Sequence, residues 1–282
     1  MSRIAVVTGA NQGLGFALVA DLAERFGNED LVLLTGRDRG RVEEAVSRVG
    51  GRAGVEGRVL DVTDAAAVAE LARELGPVDV VLSNAVAPLS PDRSQAAQAE
   101  EFAAVANGGA HAVLREFGPG LRAGGRLVVV ASGLGTLGNL DPALWPLFDG
   151  RSLDEVERVV GDWVAAARAG RAEERGWPRW VNVPSKVAQV AAVRAVAATR
   201  RDADLSAGTL VAAVCPGLVD TRASRPWFDD FSGALTPARA AAAVLDFVLG
   251  PVDPATHGEL VRYGRVLPWH GGTPHQGADL IP

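Results

Sequence analysis

The chain has 282 residues, 48% of them hydrophobic, and a formal net charge of −6, which is enough apolar material for one large α/β core. Acidic and basic residues are interspersed and no apolar run is long enough to span a bilayer, so neither a nucleic-acid face nor a membrane anchor is expected. A lone cysteine, Cys215, excludes an intramolecular disulfide, and the N-terminus enters a strand with no basic region ahead of an apolar stretch, which predicts a cytoplasmic protein.

In chain order, short β-branched runs predict strands over Arg3–Thr8, Leu31–Thr35, Arg58–Asp61, Asp79–Ser83, Arg126–Ala131, Thr209–Val214 and Gly258–Arg262. Between them, Ala-rich periodic stretches predict helices over Leu14–Phe26, Arg41–Val49, Asp64–Leu75, Ala96–Leu121, Lys186–Arg201 and Pro237–Leu249, with Asp64 and Thr236 as N-caps. This alternation predicts a single-domain, doubly wound Rossmann fold over residues 1–282, with a seven-stranded parallel sheet and helices on both faces. Residues 133–178 exceed any ordinary loop and are expected to form a helical insertion before the long helix that starts near Lys186, with apolar helical spacing over Leu153–Ala172.

The first strand runs into Thr8-Gly9-Ala10-Asn11-Gln12-Gly13-Leu14-Gly15, which opens the first helix. Glycines let a backbone approach a pyrophosphate, and a helix N-terminus offers free N–H groups and a positive dipole end. A bare tight turn is the plainer reading of such a sequence, but its place between the first strand and the first helix points to a dinucleotide. The second strand ends in Thr35-Gly36-Arg37-Asp38, where an arginine accommodates a 2′-phosphate. Arg37 therefore indicates NADP(H), against the alternative of a solvated arginine beside Asp38 and Arg39.

Of 28 basic residues only one, Lys186, is lysine, and Tyr263 is the only tyrosine. An amine kept at one position of an otherwise arginine-only chain suggests a need for a compact, tunable ammonium.

These motifs resemble the short-chain dehydrogenase/reductases, and in particular the monomeric carbonyl-reductase-like branch. The glycine turn is similar to that family's TGxxxGxG, Ser83-Asn84-Ala85-Val86 to its NNAG, and Pro216-Gly217-Leu218-Val219-Asp220-Thr221 to its PGxVxT. The resemblance implies cofactor contacts from Gly9, Asn11, Gln12, Gly13, Leu14, Gly15, Arg37, Asp61, Val62, Asn84, Ala85, Lys186, Pro216, Gly217, Val219 and Thr221. It implies a catalytic group of Asn107, Ser132 and Lys186. It implies a substrate lid over residues 221–235, and a monomer, because the insertion ending in Gly176-Trp177-Pro178 covers the surface that other members use to dimerise.

The chain departs from the family where the catalytic tyrosine stands: four residues before Lys186 it has Asn182. An asparagine amide donates a hydrogen bond but is no proton donor near neutral pH, so it polarises an oxyanion without quenching it. Three readings follow. The chain is an NADP(H)-dependent oxidoreductase acting on a carbonyl, enone or quinone; or a non-redox enzyme (cyclisation, dehydration or isomerisation) that keeps the cofactor structurally; or a catalytically inactive binding protein. A retained Lys186, Ser132 and Asn107 favour a working pocket and, on the family's activity, the reductase.

Two further replacements, Ser83 for an asparagine and Val86 for a glycine, fall beside the cofactor, and Val86 is expected to crowd its adenosine end. Trp227, Phe228 and Phe231 in the lid, joined by Trp145 and Phe148 of the insertion, suggest a bulky, flat or polycyclic small-molecule substrate, with ordinary loop packing as the alternative. His111 is expected to be a helix-packing or surface residue, with a replacement acid as the alternative, Cys215 to be a structural thiol, and His270 and His275 to lie in a Gly/Pro-rich tail. No histidine pair meets a carboxylate at metal-ligating spacing, so no metal is expected.

Overall fold

The computed structural model describes residues 2–271; His275 and the rest of the tail lie outside them. One sheet runs through the molecule in the order β3-β2-β1-β4-β5-β6-β7-β8. The strands are β1 (Ile4–Val7), β2 (Leu31–Gly36), β3 (Gly54–Val59), β4 (Val78–Ser83), β5 (Leu121–Val130), β6 (Leu210–Val214), β7 (Leu260–Arg262) and β8 (Arg265–Leu267). The first seven are parallel, as the alternation predicts.

The eighth strand is a correction to the seven expected. It pairs antiparallel with β7, Arg262 opposite Arg265, through a two-residue turn of Tyr263 and Gly264. Both turn residues have positive φ, 50° and 74°, as the tight hairpins matched to strand twist require. Tyrosine is a rare first residue for such a turn, so neither its sequence nor a three-residue strand announces the hairpin.

Helices α1 (Gly13–Arg25), α2 (Arg39–Ser47), α3 (Ala65–Leu75), α4 (Gln95–Ala103), α5 (Gly109–Phe117), α6 (Leu153–Arg168), α7 (Asn182–Ser206) and α8 (Pro237–Leu249) cover the two faces. One apolar core joins α1, α2 and α8 to the sheet; the other holds α3, α4, α5, α6 and α7. Asp64 caps α3 by accepting from the N–H groups of Ala66 and Ala67, and Thr236 caps α8, as expected.

The helix expected over Ala96–Leu121 is interrupted. A π-helical turn, Ala104–Gly108, separates α4 from α5, and β5 begins where that helix was expected to end. Such wide turns break the regular i→i−4 ladder and recur at functional sites. The insertion helix α6 is shorter than its apolar spacing suggests, and is started by a capping box in which Ser152 and Glu155 satisfy each other's backbone N–H groups. No helix of the described residues is long and apolar enough to cross a membrane.

Candidate active site

All the motif residues lie at or beyond the C-terminal ends of the parallel strands, the edge where doubly wound sheets take their ligands. The chain reverses its winding between β1 and β4, and Asn84 laces these two strands together there. Its side-chain amide donates to the carbonyls of Thr8 and Gly9, at 3.1 and 3.2 Å, while the backbone N–H groups of Asn84 and Ala85 donate to Thr8 Oγ1, at 2.9 and 3.1 Å.

The turn's glycines have different tasks. A Cβ on Gly9 would fall 2.7 Å from the Cα of Ala85, and one on Gly15 would fall 2.5 Å from the Asn84 side-chain nitrogen; both glycines permit the lacing. Gly13 has φ +58°, and a Cβ there would meet nothing nearer than a Thr221 methyl at 3.7 Å, so its side of the turn is open. Gln12, the residue ahead of α1, makes no side-chain cap, so the first N–H groups of α1 carry no side-chain cap and face this opening. The open turn, the uncapped helix start and the close-packed glycines fit the pyrophosphate of a dinucleotide. Leu14 is the second residue of α1, and Asn11 packs by Gly36.

At the end of β2 the carboxylate of Asp38 accepts from the Arg41 N–H at 2.9 Å. It is thereby engaged as the cap of α2, and Arg37 beside it is exposed at the strand tip. Asp61 accepts from the backbone N–H and hydroxyl of Thr63, which hold its carboxyl below the usual range. Val62 is buried and packs against Gly109, where a Cβ would lie 2.6 Å from its methyl. Val86, expected to crowd the cofactor, projects into the open and is 44% exposed.

Lys186 lies one turn along α7 from Asn182, on the same helix face. It is buried, and its Nζ donates to Gln189 Oε1 at 2.7 Å. Gln189 in turn donates from Nε2 to the Ala106 carbonyl of the π-turn, also at 2.7 Å. Burial brings the lysine pKa down from 10.5 to about 8, opposed by the neighbouring Cys215. Cys215 is itself buried, in keeping with a structural thiol.

Asn107, next in the π-turn, spends its whole amide on Ser185: Nδ2 donates to the Ser185 carbonyl at 2.9 Å, and Oδ1 accepts from the Ser185 hydroxyl at 2.7 Å. It therefore fixes α7 and is fully buried. Ser132 follows β5 and caps a short helical turn by accepting from the Leu134 N–H at 3.3 Å. That turn rests on α7, because a Cβ on Gly135 would fall 3.0 Å from the Lys186 carbonyl. Asn182 is half-buried at the start of α7. The structure thus gathers Ser132, Asn182 and Lys186 around the start of α7, with Asn107 behind them. Ser185 and Gln189, the fixing residues, were missed in the sequence; polar residues one position before and three positions after a lone lysine were their signal.

After β6, Gly217 has φ +82°, and a Cβ there would lie 2.2 Å from the Tyr263 hydroxyl. Tyr263, half-exposed, thus lays its phenol on the Pro216–Gly217 turn and not on α7. The segment that follows is closed at its base, where Val219 bridges Leu235, the Asp220 N–H donates to the Leu235 carbonyl at 2.9 Å, and the Leu235 N–H donates to the Leu218 carbonyl at 2.8 Å. Within it Phe228 and Phe231 meet edge to face at 6.2 Å, and Thr221 and Ser224 bond one another. Trp145 stands apart from these aromatics, packed on His270 at 5.7 Å. Phe148 packs on Trp177. His270 also bonds Asp149 at 2.8 Å, and His111, one of the two placements expected for it, is buried on α5 with Nδ1 3.5 Å from Glu157 of α6.

Because Lys186 is the sole lysine, lysine-selective ¹⁵N labelling gives one side-chain resonance, expected to titrate near pH 8. Folding lowers this pKa, so the folded chain binds the proton less tightly, and stability is expected to rise as pH climbs from about 8 towards 10.5. A midpoint at the ordinary lysine value would place the amine in water.

The short chain dehydrogenase family profile matches residues 3–143, the half that contains the glycine turn, the π-turn and Ser132. Carbonyl reductase (NADPH) 1 of Sus scrofa is 29% identical, with 95% of this chain and 94% of the relative aligned. Carbonyl reductase (NADPH) 3 of Mus musculus is 30% identical over 95% of this chain and 99% of its own. Among solved structures, salutaridine reductase of Papaver somniferum shares the fold at a TM-score of 0.74, with 24% identity over 92% of this chain and 99% of that one. With a profile match over half the chain and curated relatives aligned from end to end, this protein belongs to the short-chain dehydrogenase/reductase family.

Proposed function

We propose that this chain is an NADPH-dependent reductase of carbonyl, enone or quinone groups that works without the family's tyrosine. The observation that carries this reading is Lys186, an amine buried at the start of α7 against the turn that follows Ser132. The relatives' names, carbonyl reductase (NADPH), support the cofactor and the reaction class.

In this reading Gly13, Leu14 and the N–H groups of α1 would hold the pyrophosphate, with Asn11 and Gln12 beside them. Arg37 would take the 2′-phosphate, Asp61 and Val62 the adenine, and Pro216, Gly217, Val219 and Thr221 the nicotinamide end, while Asn84 and Ala85 hold the turn. NADPH, when bound, supplies a hydride to the carbonyl carbon. Ser132 orients the carbonyl oxygen and the Asn182 amide donates a hydrogen bond to the charge that develops there. The Lys186 ammonium is the acid nearest to neutrality in this group, and the proton that completes the alcohol comes from it through water. Substrates that give a stabilised oxyanion, such as quinones and activated ketones, suit a site whose residue 182 donates no proton. Reduction is then expected to slow as pH rises through about 8 and Lys186 loses its charge.

A second reading has the cofactor serving structurally while Ser132, Asn182 and Lys186 cradle a cyclisation, dehydration or isomerisation. The missing proton donor at position 182 favours it.

NADPH is expected to bind more tightly than NADH by fluorescence titration, and Arg37→Ala to remove most of that preference; equal affinities in the parent chain would refute the 2′-phosphate role of Arg37. Asn182→Tyr is expected to raise turnover of an unactivated ketone, within the roughly 10²–10⁴-fold that a positioned acid supplies. A folded, cofactor-bound variant with no gain would show that more than one residue separates this site from its relatives'.

A further inference from the structure

Lys186 makes a single hydrogen bond among the described residues, to the amide oxygen of Gln189, one turn further along α7. Gln189 is 2% exposed, and its amide has one workable orientation. Its Nε2 donates to the Ala106 carbonyl of the π-turn at 2.7 Å. Turned over, the amide would set its oxygen against that carbonyl and its N–H groups against the ammonium. The segment after Ser132 closes on the same stretch of α7, because a Cβ on Gly135 would lie 2.7 Å from a Val190 methyl. No carboxylate among the described residues pairs with Lys186. Of the groups brought against it by the π-turn, the segment after Ser132 and the end of β6, only the Cys215 thiol titrates. The ammonium is therefore buried with one fixed acceptor, and that acceptor is neutral.

The kind of side chain at position 189 decides what this amine can do. A carboxylate would form a buried ion pair and lock the charge in place. An apolar side chain would leave the ammonium without an acceptor and favour the neutral amine. A neutral amide holds the ammonium and takes no proton from it. We propose that Gln189 is the positioning residue of Lys186: it fixes the amine by one N–H against the π-turn and, being a neutral acceptor, leaves it able to give up a proton and take it back. Gln189 acts only through Lys186. The use of that proton rests on the reductase reading above; the hold on the amine does not.

The test titrates the side-chain ¹⁵N resonance of Lys186 in the cofactor-free parent chain, in Gln189→Leu and in Gln189→Glu. Gln189→Leu is expected to lower the midpoint by about 1, roughly a tenfold loss of proton affinity, and Gln189→Glu to raise it by about 1 or more. The second readout is the ratio of kcat at about pH 6 to kcat at about pH 9, for reduction of an activated ketone by NADPH. This ratio is expected to rise roughly tenfold in Gln189→Leu and to fall severalfold in Gln189→Glu. A merely structural role would lower kcat by one factor at every pH and leave the ratio unmoved. Midpoints that stay at the parent's value in both variants would overturn the proposal. If Gln189→Leu fails to fold, Gln189→Glu, which keeps the length and an acceptor, decides. Midpoints that shift as expected beside a constant ratio would uphold the hold on Lys186 and remove Lys186 as the acid of the reductase.

Discussion

The burial of one ammonium group governs the organisation of this site. An amine without water is tolerated only where its N–H groups find acceptors, and Lys186 finds Gln189, which is held in turn by the Ala106 carbonyl. That carbonyl belongs to the π-turn between α4 and α5, and the next residue of the same turn, Asn107, grips Ser185 on the neighbouring helix. Two side chains from α7 are therefore fastened to one irregular turn, and the lysine is set in place by both. Gly135 completes the arrangement by letting the segment after Ser132 lie against α7 at Lys186.

A second constraint acts at the point where the sheet changes direction. Asn84 reaches from the end of β4 to the first turn after β1, and Gly9 and Gly15 are needed for that approach before any cofactor is considered. Gly13 is different, since its positive φ and open side leave room for a ligand. A motif that reads as three equivalent glycines is thus two packing positions and one with an open side. The departures from the family pattern differ in burial: Ser83 is buried as the last residue of β4, and Val86 is 44% exposed.

Much of this was legible in the sequence because it is local. Strand–helix alternation yields the parallel sheet, and Asp64, Thr236 and Pro237 mark helix starts by direct backbone contacts. What stayed hidden depends on distant partners or unusual local geometry. The π-turn sits inside a continuous helical pattern, and nothing in Ala104–Gly108 advertises the extra residue. The β7–β8 hairpin places tyrosine where asparagine or glycine is usual, so nothing in the sequence announces that the φ of Tyr263 belongs to a turn and that its phenol packs on Gly217. Trp145, grouped with the lid aromatics on composition, lies against His270, while Trp180, which no motif marks, is the tryptophan that meets Trp227.

The central claim is that hydride passes to a substrate in a site whose residue 182 cannot give a proton. The most direct test is to incubate the protein with an activated ketone and NADPH deuterated at the transferable position of the nicotinamide ring, and to examine the product by mass spectrometry and NMR. The account predicts an alcohol with deuterium on the former carbonyl carbon, formed in step with NADPH loss. A product that forms without deuterium while NADPH persists would contradict it and leave the cofactor a structural part of a non-redox enzyme.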